Sequence, residues 1–89
     1  MPPNPNEVIR QCIGVLDIII NDDSCPRNIR RNAGSMKNTL SNEKDSPSTR
    51  AAMVVSKLDD IGNDRNVPIH TRTLIWGISS QLETIPVDR

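Results

Sequence analysis

Eighty-nine residues allow one small domain and no second one, so stability has to come from a compact core. That core must be aliphatic, because Phe and Tyr are absent and there is a single Trp. Eleven basic and eleven acidic residues cancel, so the net field favours neither a polyanion nor a membrane surface.

Residues 1–5 read as an extended leader. Pro2, Pro3 and Pro5 oppose helix there, Asn4 can cap, and Pro5 can take the first helical position, where a missing N–H costs nothing. The leader has neither a basic nor an apolar segment of the kind that directs export, and no apolar stretch approaches the length of a membrane span. No membrane partner is expected, and the expected location is the cytoplasm. The first hairpin covers residues 6–40. Its first helix runs to Ile20, with Val8, Ile9, Cys12, Ile13, Val15, Leu16, Ile19 and Ile20 on a broad apolar arc opposite Arg10, Gly14, Asp17 and Asn21. Asn21-Asp22-Asp23-Ser24 is a turn, and Pro26 opens a second helix that carries only a narrow seam of Ile29, Ala33, Met36 and Leu40.

Residues 41–49, SNEKDSPST, read as the longest loop, with Ser48 positioned to cap the third helix. The second hairpin covers residues 50–85. Ala51, Val54, Val55, Leu58 and Ile61 form its first stripe, which Gly62-Asn63-Asp64 ends. Pro68 opens the fourth helix, where Thr71, Leu74, Ile75, Ile78, Leu82 and Ile85 share a face until Pro86.

The two hairpins carry related text. Leu16 to Leu40 aligns with Leu58 to Leu82 at a constant offset of 42, and the pairs Leu16/Leu58, Asp17/Asp59, Ile19/Ile61, Asn21/Asn63, Asp22/Asp64, Pro26/Pro68, Arg30/Arg72 and Leu40/Leu82 are identical. The fold expected is all-α: four helices as two antiparallel αα-hairpins related by an internal repeat, forming a small bundle or a two-unit stack. The corner itself, with Leu16, Asp22 and Ile29-Arg30 in one copy and Leu58, Asp64 and Arg72 in the other, resembles in form the HEAT-type helical hairpin. Over most of its length the chain resembles the small archaeal uncharacterised protein family 0147, through the hairpin segment Asn21 to Arg31 (ND…PRNIRR) and the closing segment His70 to Ile85 (HTRTLIWGISSQLETI). The resemblance implies an all-helical fold in an archaeal cytoplasm and carries no assigned activity.

Four constellations bear on function. Asp22 with Arg30, and Asp64 with Arg72, could be metal or catalytic carboxylates; two separate corners, each with its own arginine, fit helix capping plus a tie across the hairpin. Arg27, Arg30, Arg31 and Lys37 form a basic flank on the second helix that could meet phosphates of RNA, although no aromatic is interleaved for base stacking, and internal pairing with carboxylates is the alternative. His70 is the only histidine and reads as a surface residue in the first turn of the fourth helix. Cys12 and Cys25 read as buried thiols, with no CxxC and no histidine spaced to make a zinc set. There is no Gly-rich phosphate loop, HExxH or GxSxG, so neither enzymatic activity nor a metal or cofactor is expected.

Trp76 stands apart, roughly 150 degrees from the centre of its helix's apolar stripe and on the same side as Ile69. Either the second helix or the 41–49 loop covers it, or it anchors a partner, as Trp often does. Two hairpins alone are few for a stack, so either the second folds back to close a bundle or a second copy docks on Ile69 and Trp76. The function expected is therefore a non-enzymatic protein–protein interaction or structural module, as a homodimer or with an unidentified protein partner. An RNA or ribonucleoprotein accessory role on the basic flank is the alternative.

Overall fold

Asn4 and Ser46 start the first helix of each hairpin in the same way. In the computed structural model, which describes residues 4–86, the Asn4 side-chain oxygen accepts from Asn6 N at 2.9 Å and the Ser46 hydroxyl from Thr49 N at 3.3 Å, each with a proline next in the chain. The cap satisfies an amide the helix cannot, and the proline has none to lose. The helices are α1 (Pro5–Ile20), α2 (Arg27–Ser41), α3 (Pro47–Gly62) and α4 (Ile69–Leu82). No strand is present among the described residues.

Several local expectations are corrected. The cap of α3 is Ser46 rather than Ser48, because Pro47 takes the first helical position; α2 meanwhile continues through Ser41, so the supposed 41–49 loop shrinks to residues 42–46 and is the shortest connection. Pro26 and Pro68 stand at the N-cap positions of α2 and α4, immediately before the first helical residue. Ile85 is buried but lies past the end of α4, in a turn closed by Ile85 N to Leu82 O at 3.1 Å. The first helix of each half ends without a left-handed residue, so Gly62 is not used for its conformational freedom. Asn21 and Asn63 instead donate side-chain N–H groups to the carbonyls of Asp17 at 2.9 Å and Asp59 at 3.0 Å.

Burial repeats at the same offset as the sequence. The buried pairs are Val8/Arg50, Ile9/Ala51, Cys12/Val54, Leu16/Leu58, Ile19/Ile61, Cys25/Val67, Ile29/Thr71, Ala33/Ile75, Met36/Ile78 and Leu40/Leu82, which leaves only Ile85 without a buried counterpart. The seam expected on α2 is its buried set. On the other helices the edges of the expected stripes, Ile13, Val15, Ile20, Val55 and Leu74, are half-buried and pack against the core from its margin. Deep burial is shared evenly by α1 and α3 rather than concentrated in α1.

The halves close on each other. Both α1 and α3 touch every other helix, α2 packs on both of them from one side and α4 from the other, and α2 and α4 do not meet. In a stack of HEAT-like units the second helices would lie side by side, so the arrangement is a closed four-helix bundle in which the hairpins exchange places about a pseudo-two-fold axis. Each hairpin thereby covers the apolar face that the other could not bury alone.

Candidate functional site

The two corners meet at one end of the bundle. Each begins as an Asx turn: Asp22 Oδ1 accepts from Ser24 N and Asp64 Oδ1 from Asn66 N, both at 2.9 Å. The aspartates therefore cap their own turns and not the helices that follow, since α2 and α4 have no side-chain cap. Their second oxygens look across the pseudo-two-fold. His70 Nε2 lies 2.7 Å from Asp22 Oδ2, and Asn28 Nδ2 donates to Asp64 Oδ2 at 3.5 Å; Asn28 and His70 are themselves 42 residues apart. Each corner thus holds the second residue of the other hairpin's second helix.

Ser24, His70 and Asp22 together have the composition of a catalytic triad but not its wiring. A triad uses both ring nitrogens, one toward the carboxylate and one toward the hydroxyl. Here Asp22 at 2.7 Å and Ser24 Oγ at 3.4 Å share Nε2, and Ser24 Oγ donates to Asp22 Oδ1 at 2.6 Å. No proton path leads from the hydroxyl through the ring to the acid. The Ser24 hydroxyl, then His70, hold the Asp22 carboxyl down to about 2.

The arginine ties differ from the expected carboxylate pairs. Arg72 Nη2 donates to the backbone oxygen of Asp64 at 3.0 Å, while Arg30 Nη1 reaches Asp23 rather than Asp22, at 3.9 Å. Both guanidinium groups keep a buried Nε without a partner among the described residues. Of the basic flank, Lys37 Nζ pairs with Asp17 Oδ1 of α1 at 2.7 Å and Arg30 is partly drawn to Asp23. Arg27 and Arg31 are exposed. Internal pairing thus takes two of the four basic groups.

Trp76 is uncovered. Neither α2 nor residues 42–46 shield it; it is 61% exposed and Ile69, two turns earlier on the same side of α4, is 82% exposed. Trp76 also borders a shallow groove of about 310 Å³ with Leu58, Arg72 and Ile75. Both cysteines are free and buried, and burial pushes the Cys12 thiol up to about 11 and raises Cys25 as well. Such thiols are poor nucleophiles. Among the described residues no three of His, Cys, Asp and Glu converge on a metal-sized space, and no helix is long and apolar enough to cross a membrane.

Two features escaped the sequence. Arg50 is 6% exposed and donates from Nη1 to the Leu40 carbonyl at 2.7 Å, although an arginine in a first helical turn is usually read as solvated. Its signal was present at the offset of 42, where the other half has Val8. The Asp22–His70 contact joins residues 48 positions apart, and no local pattern announces it.

Fold and surface define the chain as a short all-α protein made of two like hairpins closed into a bundle. It belongs to the uncharacterised protein family UPF0147, which it matches over residues 1–85. It is 60% identical over 82 residues to the UPF0147 protein of Methanosarcina acetivorans, covering 92% of this chain and 84% of that one. The crystal structure of unknown function protein MMP1188 is similar with a TM-score of 0.88, at 46% identity over 93% of this chain and 94% of that chain. A member of the same family from Thermoplasma acidophilum has a TM-score of 0.84 at 38% identity, covering 90% of this chain and 94% of that one.

Proposed function

We propose that this protein is a non-enzymatic protein–protein interaction module whose docking face is the outer side of α4, and that the face is used first by a second copy of the chain. The observation that supports this is the exposure of Ile69 and Trp76, at 82% and 61%, on one side of a helix whose residues from Thr73 to Leu82 carry no charge. An exposed apolar pair of this kind is the sort of feature that association removes from water. The helix is also self-complementary in charge, with Arg72 near its start and Glu83 just past its end, so antiparallel pairing about a two-fold axis brings unlike ends together.

The closed bundle removes one motive for a dimer, since neither hairpin is left with a bare core face. What remains is the outer face of α4 itself. The shared Nε2 contact of Ser24 and Asp22 supports the non-enzymatic half of the proposal. We infer a cytoplasmic location as well; its support is the pair of free, buried thiols. A role on RNA would rest on Arg27 and Arg31, once Lys37 and Arg30 are drawn to Asp17 and Asp23.

Sedimentation equilibrium of the unmodified chain and of Trp76→Ala tests the dimer. The expected result is a dimer that becomes monomeric in the variant with unchanged helical circular dichroism. A monomer at about 1 mM for the unmodified chain would overturn self-association, since that corresponds to no useful affinity.

A further inference from the structure

The pseudo-two-fold builds one kind of groove twice, between the start of a hairpin's first helix and the end of its second. In the second half this groove is lined by no cation: Ala51, Ala52 and Val55 of α3, Leu82 of α4 and Ile85 supply its apolar part, and its charged members are Asp59 and Glu83. In the first half the residue matching Ala52 is Arg10 and that matching Ile85 is Glu43, and the cleft, about 810 Å³ and open to solvent, also takes in Lys44, Asp45 and Arg50.

Arg50 is the unusual member. It is more than nine-tenths buried, its Nη1 is satisfied by the Leu40 carbonyl, its Nε is buried with no partner, and among the described residues it has no ion pair. One carbonyl is the whole complement of a group with five N–H donors and a full charge, and buried guanidinium groups normally face an anion. Arg10 and Lys44, exposed and likewise outside every ion pair of the described residues, border the same cleft. Against these three cations stand Glu43 and Asp45, leaving one net positive charge.

We propose that this cleft binds a small oxyanion, the phosphate group of a small molecule, with Arg50 donating from the floor and Arg10 and Lys44 from the rim. Glu43 and Asp45 in the same lining repel an extended polyanion, which favours a compact ligand over a nucleic-acid strand. The site is independent of the α4 face.

Inorganic phosphate is the probe, titrated into labelled protein at pH 7 with ionic strength held constant by sodium chloride. The expected result is saturable movement of the Arg50 Nε–H resonance and of backbone amides 46–50, with a midpoint on the order of 1 mM. Arg10→Gln and Lys44→Gln, both at exposed positions, should each weaken binding about tenfold, the equivalent of one charge-assisted hydrogen bond. Arg50→Val, which installs the residue type of the matching position in the other half, should abolish saturation while the bundle stays folded. Non-saturating shifts, shifts reproduced by chloride alone, or an unchanged midpoint in Arg10→Gln would overturn the proposal. Tighter binding of a short single-stranded RNA than of phosphate, lost in Arg50→Val, would overturn the small-ligand assignment.

Discussion

His70 Nε2 stands 2.7 Å from Asp22 Oδ2, and the contact joins the second residue of α4 to the corner of the opposite hairpin. Its counterpart under the pseudo-two-fold, Asn28 to Asp64 at 3.5 Å, is longer. The two ends of one clasp are therefore built from the same positions with unequal strength, and the asymmetry makes the corners separable by mutation.

Asp64→Ala should cost about 1 kcal/mol, the worth of one ordinary hydrogen bond in its Asx turn. Asp22→Ala should cost more, because Ser24 loses both its backbone and hydroxyl acceptor and His70 loses its partner. Urea midpoints of the two variants measure the difference, and equal losses would mean that the His70 contact contributes nothing.

Acid should find the same corner. The carboxyl of Asp22 lies below its ordinary 3.8, at about 2, so it favours the folded state above the unfolded value and withdraws that support as pH falls. Between about pH 4 and pH 2 the unmodified protein should lose stability faster than Asp22→Asn does. Parallel curves for the two proteins over that window would rule out the hydrogen bonds of Ser24 and His70 as the cause.

Leu16 and Leu58 occupy one position of the two halves, at 0% and 1% exposure. Either one changed to Ala should cost about 2–5 kcal/mol through lost burial and the cavity left behind, a large share of the roughly 5–15 kcal/mol of a domain this size. Since the sites are equivalent, the two costs should agree to within about 1 kcal/mol. Chemical denaturation of both single variants checks this, and a wide gap would show that the halves pack differently.

Thr71 is 1% exposed, and its hydroxyl faces only the Cys25 thiol, a weak hydrogen-bond partner. The matching position holds Ile29, so the environment accepts an aliphatic side chain. Thr71→Val removes the buried hydroxyl at nearly constant shape and should stabilise the fold by about 1 kcal/mol. A lower thermal midpoint in the variant would mean that the hydroxyl is satisfied in solution.

Much of the molecule was legible along the chain. Asn4-Pro5 starts a helix by satisfying amides within one turn, and the seam Ile29, Ala33, Met36 and Leu40 marks a one-sided helix because burial follows its period. The offset of 42 carries these features into the second half, where buried positions recur at the same spacing. Ser46 against Ser48 is a local decision as well: Pro47 is the first residue of α3 and not part of the loop, so the residue before it is the cap.

The sequence by itself therefore determined the helices, their edges and their inward faces, since all of these depend on neighbours within about one turn. Only the tertiary structure decided that the hairpins face each other as a closed bundle, leaving α2 and α4 apart, instead of stacking side by side. That choice is a rotation between two rigid units. It changes no local hydrogen bond, so no spacing records it, yet it brings Asp22 to His70 and buries Arg50 beneath the end of α2. Exposure of Trp76 follows from the same rotation, because α2 lies on the far side of the bundle from α4 and cannot reach over it.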